Sequence, residues 1–373
     1  MQFHQVIGHE EIKKHLIGLV QSNNIPHAQL FLSSSGVGSL PLTLAFAQYL
    51  VCENKHAEDS CGVCGECIKS SKMIHPDIHY TYPVVPKKSN KPSLSTDYIV
   101  EWRKIILNNA YIDESKWLQN IEAENRQGNI SADEARTIIR DLSLKSYESR
   151  FKIQIIWLAE ALGKEGNILL KLLEEPPEDT ILLLISENPD QILPTIISRC
   201  QLIKLHQLSE SEIEEALVKN GIPSTKAQKI AFLSNGSISE ALEIAEKEID
   251  DITYTLVDWM KLSIHYDILA LVKWVDDLSK MGREKIKTFF EYTEHVLRET
   301  LLTKYQDAYI PKLNDEELKI AQALKKYLKN HEQIHEFIQL LDEKYYEIER
   351  NVNGKIVLLS ASLKLHSIIK GTK

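Results

Sequence analysis

Apolar and polar positions follow two rhythms along this chain, and the change between them falls near residue 206. A helical period runs over 10–21, with Ile12, Leu16, Leu19 and Val20 on one face, and Ser22, Asn23, Asn24 and Pro26 end it. A short apolar strand follows over 29–32, then a helix over 42–52. Helical patterns return over 97–108 and 114–124, and Ser131 and Glu134 have the spacing of a capping box that opens a helix through Leu142. The β-branched runs K-I-Q-I-I-W-L over 152–158 and T-I-L-L-L-I-S over 180–186 predict buried strands. Between them a helix over 169–175 stops at Pro176 and Pro177, and a last short strand covers 201–205. Strands alternating with helices over 1–206 predict an α/β domain with a mostly parallel sheet covered on both faces. Residues 83–95, rich in proline and lysine and without period, read as an exposed loop.

Beyond His206 only the helical rhythm persists. A second capping box, Ser209 to Glu212, with stops at Gly221-Ile222-Pro223 and Asn235-Gly236, marks a small helical unit over 207–250. From 251 to 373 apolar faces such as Phe289, Val296 and Leu297, or Ile338, Leu341, Tyr345 and Ile348, predict packed helices. Breaks fall at Ile310-Pro311, Asn330-His331 and Asn353-Gly354. No catalytic constellation is read there, so this part is most simply an assembly surface.

The turn after the first strand, S-S-S-G-V-G-S-L, has the local form of a phosphate-binding P-loop without its chemistry. In G-x-x-x-x-G-K-[ST] the lysine reaches the terminal phosphates and the hydroxyl holds magnesium. Aligned on Gly36 and Gly38, those two places fall to Ser39 and Leu40, and the first glycine to Ser33.

Composition narrows the class further. With 373 residues, two or three domains are expected, and 43% hydrophobic with 26% charged residues is globular usage. A formal charge of −9, from 44 basic and 53 acidic residues, argues against a broad nucleic-acid platform on the chain's own surface. No N-terminal signal and no membrane-length apolar run is read, so a cytoplasmic protein is expected. Four of five cysteines, Cys52, Cys61, Cys64 and Cys67, have the spacing C-x8-C-x2-C-x2-C, with Gly62 and Gly65 after two of them. Four thiolates suit a closed, structural zinc site, with an iron–sulfur cluster or unligated core cysteines as alternatives. His56 and His75 nearby read as ordinary surface histidines.

Asn167, the run L-L-K-L-L-E-E-P-P over 169–177, and L-P-T-I-I-S-R-C over 193–200 follow the P-loop-like turn in this order. Together they resemble the clamp-loader branch of the AAA+ ATPases, and within it the delta-prime family of bacterial DNA polymerase III. The likeness is specific over 1–206, weaker over 207–250 and architectural beyond. It implies an AAA+ P-loop-type α/β domain over 1–206 carrying a zinc insertion at about 52–67, a helical lid over 207–250, and an all-α collar over 251–373. It sets the family's magnesium-binding acids at or beside Trp157 and Leu158, with Glu160 near. Its γ-phosphate-sensing arginine falls at Ser239 of Gly236-Ser237-Ile238-Ser239-Glu240-Ala241-Leu242, whereas Ser186 keeps a polar residue in kind.

With lysine, magnesium hydroxyl, acids and sensing arginine all replaced, the resemblance implies no ATP in this chain's own site. It implies instead that Arg199, within Ser198-Arg199-Cys200, reaches the ATP of a neighbouring subunit. The implied partners are the gamma/tau ATPase subunits and the delta subunit and, through them, the sliding clamp and primed-template DNA, with no membrane. Two rivals stand beside this expectation. One is an active gamma/tau-like ATPase whose main-chain amides around Gly36-Val37-Gly38 still accept phosphate. The other is a zinc-dependent nucleic-acid-binding module, against which the acidic balance weighs.

Overall fold

In a computed structural model of the chain, described here for residues 1–87, 93–123, 126–246, 250–280, 282–305, 313, 315–328, 330–350 and 352–371, the apolar runs pair into one parallel sheet. Its strands are β1 (Ala28–Leu32), β2 (Ile78–Thr81), β3 (Lys152–Ile156), β4 (Thr180–Ser186) and β5 (Gln201–Lys204). Their order is β2-β3-β4-β1-β5, so β1 lies between β4 and β5, with Leu30 opposite both Leu184 and Leu202. All four pairings are parallel, so the loops leaving β1, β3 and β4 gather at one edge, where ligand sites of such sheets form. This parallel sheet between helices agrees with the expected α/β class.

The helices of this part are α1 (Glu10–Gln21), α2 (Ser39–Val51), α3 (Gly65–Ser71), α4 (Ile99–Asn108), α5 (Glu114–Asn120), α6 (Ala132–Ser143), α7 (Leu170–Glu174), α8 (Pro194–Ile197) and α9 (Glu210–Lys219). Alternate strand residues enter two different cores. Phe31, Ile155 and Leu183 pack with Leu42, Ala45 and Phe46 of α2, while Leu30, Ile156 and Leu184 pack with Ala135, Ile138 and Leu142 of α6. Burial on both faces explains why β3 and β4 read as unbroken apolar runs.

Several boundaries differ from the sequence expectation. The edge strand β2 goes unread because Ile78-His79-Tyr80-Thr81 is only four residues long and mixes polar with apolar positions. β3 ends at Ile156, and Leu158 takes a left-handed conformation (φ 54°) that carries the chain out of the sheet. α2 begins three residues early, at Ser39, because Gly38 (φ 104°) caps it. Of the two capping boxes, Ser209 and Glu212 bond reciprocally, Ser209 N–H to Glu212 Oε2 at 2.8 Å and Glu212 N–H to Ser209 Oγ at 3.3 Å. At Ser131 only half forms. Its Oγ accepts from Glu134 N–H at 3.2 Å, but the Glu134 carboxylate turns inward to accept from Ser95 N–H (2.8 Å) and Thr81 Oγ (3.1 Å).

The chain divides into two units, Met1–Lys219 with Ser234–Leu242, and Asn220–Leu233 with Glu243–Lys373. The second holds α10 (Ser224–Leu233), the end of α11 (Ile238–Glu246), α12 (Asp250–His265), α13 (Ile268–Lys280), α14 (Arg283–Tyr305), α15 (Asp315–Tyr327), α16 (His331–Glu349) and α17 (Gly354–Lys370). Its core joins Trp259, Phe289, Val296, Phe337, Leu341 and Leu358. Asn330 and Asn353 cap α16 and α17, as their sequence breaks suggest, whereas Ile310-Pro311 and residues 88–92 of the 83–95 loop lie outside the described residues. No strand occurs in this unit among the described residues, and no described helix is long and apolar enough to cross a membrane.

Candidate functional site

The P-loop-like turn is closed over by the chain's own residues. Ser33, Gly36, Val37, Gly38, Ser39 and Leu40 are all buried, leaving Ser34 and Ser35 exposed. Gly36 (φ 75°) meets the turn that starts α11, where Ser239 N–H donates to Gly36 O at 3.1 Å. A Cβ on Gly36 would lie 2.2 Å from Ser237 Oγ and 2.9 Å from Ser239 Cβ. Ser239, where the resemblance would set a sensing arginine, donates its hydroxyl to Tyr111 O at 3.0 Å and accepts from Lys116 Nζ at 2.9 Å. The Tyr111 ring faces Gly38, its hydroxyl accepts from Ile7 N–H at 2.8 Å, and His9 Nε2 lies 2.8 Å from Val37 O. Tyr111, Lys116 and His9 carry no sequence signal for this place, because each arrives from a remote segment.

Charge around the turn is acidic. Burial, with Glu160, Asp113 and Glu114 adding to it, pushes the Glu187 carboxyl up to about 7 beside its hydrogen bond to Ser35. Trp157 and Leu158, at or beside which the resemblance would set magnesium-binding acids, are core residues. Glu160, the carboxylate nearest them in sequence, accepts from Glu187 N–H (3.0 Å) and Asn188 N–H (3.1 Å), which engages it in the loop after β4. Ser186 is fully buried and its Oγ accepts from Asn188 N–H at 3.2 Å. A phosphate approaching the turn thus meets the Glu187 carboxyl beside Ser35, while the Lys116 ammonium near Gly36 donates to Ser239.

Arg199 follows α8 and lies on the surface. Its Nε donates to Glu174 Oε1 at 2.7 Å and its Nη2 to the same oxygen. Its Nη1 donates to Thr195 O at 2.9 Å and to Ser198 Oγ at 3.2 Å. Asn167 donates to Lys164 O at 2.9 Å. Burial pushes the Cys200 thiol up to about 12, so it is an inert packing group.

The four remaining cysteines converge. One sulfur from each of Cys52, Cys61, Cys64 and Cys67 lies within 4.8 Å of the others, and Cys61 Sγ is 3.9 Å from Cys67 Sγ. A tetrahedral zinc with Zn–S bonds of about 2.3 Å requires sulfurs about 3.8 Å apart, so the donor set fits that ion. Main-chain N–H groups point at the sulfurs: Cys61 N–H at Cys52, Cys64 N–H at Cys61 and Cys67 N–H at Cys64, at 3.3–3.4 Å. The amides of Val63 and Cys64 draw the Cys61 thiol down to about 6, whereas burial raises Cys52 and Cys67. Gly62 (φ 73°) supplies a left-handed turn, but Gly65 simply begins α3. His56 is exposed as expected. His75 is not a surface residue: it is buried, its Nε2 lies 2.5 Å from Glu66 Oε2, and its Nδ1 accepts from Asp77 N–H.

A model of the family described as "DNA polymerase III, delta subunit" matches residues 8–209. Among curated proteins, the chain is 27% identical over 238 residues to "DNA polymerase III subunit delta'" of Bacillus subtilis, covering 64% of this chain and 59% of that protein. It is also 27% identical over 254 residues to "DNA polymerase III subunit tau/gamma" of Haemophilus influenzae, covering 66% and 31%. The chain thus spans less than two thirds of the length of these relatives. Among solved structures it aligns with a DNA polymerase III gamma subunit-related protein of Thermotoga maritima at TM-score 0.40 and 14% identity, covering 96% of this chain and all of that one. The family match takes in more than half of the chain, including the closed P-loop turn, the cysteine cluster and Arg199, and the chain therefore belongs to the DNA polymerase III, delta subunit family, on its delta-prime clamp-loader side.

Proposed function

We propose that this chain is a non-hydrolysing subunit of a bacterial clamp loader, which completes a neighbouring subunit's ATP site with Arg199 and helps load a sliding clamp onto primed DNA. The observation that carries this function is the turn at Gly36–Gly38. It lies under the chain's own Ser237–Ser239 turn, Tyr111 and His9, with the Glu187 carboxyl beside it and the Lys116 ammonium engaged by Ser239, and neither Ser39 nor Ser239 offers the charge that phosphoryl transfer needs. A side chain at the end of α8 is free of that loss. An arginine supplied in trans stabilises charge on the transferred phosphoryl group and is worth roughly 10³–10⁵ in rate. The tau/gamma and delta-prime relatives support gamma/tau ATPase subunits as neighbours; a delta subunit, and the clamp and primed DNA through the assembly, complete the proposed set of partners. The protein works in the cytoplasm. Residues 1–206 act as the AAA+ domain, 207–250 as its lid and 251–373 as the collar. Cys52, Cys61, Cys64 and Cys67 hold one structural zinc, which supplies no reaction chemistry because all four positions are protein thiolates.

Reconstitution with gamma/tau and delta partners tests this function. Arg199→Ala should lower clamp- and DNA-stimulated ATP turnover at the neighbouring site by about 10³-fold or more, and the isolated chain should neither bind nor turn over ATP with magnesium. Unchanged turnover in Arg199→Ala would remove the trans role. Hydrolysis by the isolated chain would favour the rival, an active ATPase like the tau/gamma relatives.

A further inference from the structure

Arg199 does not stand free in this chain, and each of its three guanidinium nitrogens has a partner in the chain itself. Nη1 is turned back on Thr195 O and Ser198 Oγ, within the arginine's own segment. The outer edge, Nε and Nη2, is closed by a single oxygen of Glu174, the last residue of α7. The edge so closed is the pair of parallel N–H groups with which arginine grips a phosphate. Both side chains remain open to solvent, Arg199 at 32% and Glu174 at 49% exposure, so an incoming phosphoryl oxygen can reach the guanidinium and replace the carboxylate without unfolding anything.

We infer that Glu174 is a positioning residue for Arg199: its carboxylate parks the guanidinium on its own subunit and is displaced when a neighbour presents a nucleotide phosphate. This latch rests on the trans role of Arg199 proposed above. An ion pair this exposed is weak, worth a factor of about two to five. That is enough to hold down idle turnover and too little to oppose a multiply charged phosphate in a formed interface. Glu174 accepts from Nε as well as Nη2, so it also fixes the plane of the guanidinium before release. The parked arginine is thus ordered, and little side-chain entropy is lost when it transfers.

The test uses the reconstituted assembly with wild-type, Glu174→Gln, Glu174→Asp, Arg199→Ala and Glu174→Gln/Arg199→Ala chains, assayed for ATP turnover with and without clamp and primed DNA. Expected is a rise of about two- to fivefold in the turnover without clamp and DNA for Glu174→Gln, with a smaller fold-stimulation on adding them. Glu174→Asp should return towards wild type, and Glu174→Gln should have no effect once Arg199 is alanine. In the free 15N-labelled chain, the Arg199 Nε–H should exchange with solvent more slowly in wild type than in Glu174→Gln. A Glu174→Gln chain that leaves turnover unchanged or lowers it, while Arg199→Ala still abolishes stimulation, would overturn the latch and leave the trans arginine standing. Equal Nε–H exchange in the two free chains would overturn it as well. Unchanged turnover in Arg199→Ala would remove the trans role itself, and the latch with it.

Discussion

Glu187 carries a cost that comes from its surroundings. Its carboxyl ionises at about 7 in the folded chain instead of its ordinary 4.5, because burial and the neighbouring carboxylates of Glu160, Asp113 and Glu114 disfavour the charged form. Between those two values the folded state binds more protons than the unfolded one. The stabilisation is therefore complete below pH 4.5 and is lost as pH rises through 7. Urea unfolding of wild type and Glu187→Gln at pH 4.5 and pH 8 should show the wild type losing on the order of 3 kcal/mol relative to the variant across that interval. An enzyme that bound ATP here would gain from removing this acidity. In the folded chain the Glu187 carboxyl hydrogen-bonds Ser35 of the turn.

At the scale of the element, the cysteine segment is a knuckle tied down on three sides. Phe3 N–H and His4 N–H donate to Asp59, each at 3.0 Å, and Gln2 Nε2 donates to Ser60 O at 2.7 Å. Glu66 of α3 meets His75 just before β2, and Lys69 pairs with Glu148, whose own N–H is held by Asp77. A metal that closes the knuckle therefore also fixes the approach to the edge strand β2, which has too few residues to order by propensity alone. Cys64→Ser, at a partly exposed ligand, should lower the zinc content from one ion per chain to none and remove amide-exchange protection across α3, while protection in α2 persists. Metal analysis and hydrogen exchange read the two effects separately.

At the scale of the whole chain, the helical unit keeps a buried polar group at its centre. Lys229 Nζ of α10 lies 2.7 Å from Glu317 Oε1 of α15 and 2.6 Å from Thr253 Oγ of α12, and Tyr292 of α14 donates its hydroxyl to the same Glu317 oxygen. One cluster thus joins four helices, and α10 belongs to this unit although it lies within the lid segment expected over 207–250. Removing one partner of such a pair strands the other charge in the core. Lys229→Met should cost about 3–5 kcal/mol in the unfolding of the full chain, and Lys229→Met/Glu317→Leu should recover most of it. Calorimetry of the wild type and the two variants checks the order.

The sequence by itself determined the parts that depend on local pattern. Strands β1, β3, β4 and β5 follow from apolar runs, the breaks before α16 and α17 from asparagine caps, and the metal-ready cysteines from their short spacing, because each needs only neighbours along the chain. It also determined what the P-loop-like turn lacks, since Ser39 stands where a phosphate-binding lysine would be read. Tertiary structure alone decided what stands in its place. Tyr111, Lys116, His9 and Ser239 converge on Gly36–Gly38 from separate segments, and no period or spacing relates them. The same holds for Glu134, whose capping-box spacing was overridden by the buried hydroxyl of Thr81 and the N–H of Ser95, and for the contact of Glu174 with Arg199. A carboxylate goes to whichever donor the fold leaves unsatisfied in its reach, and that donor is set by packing between elements, not by position in the chain.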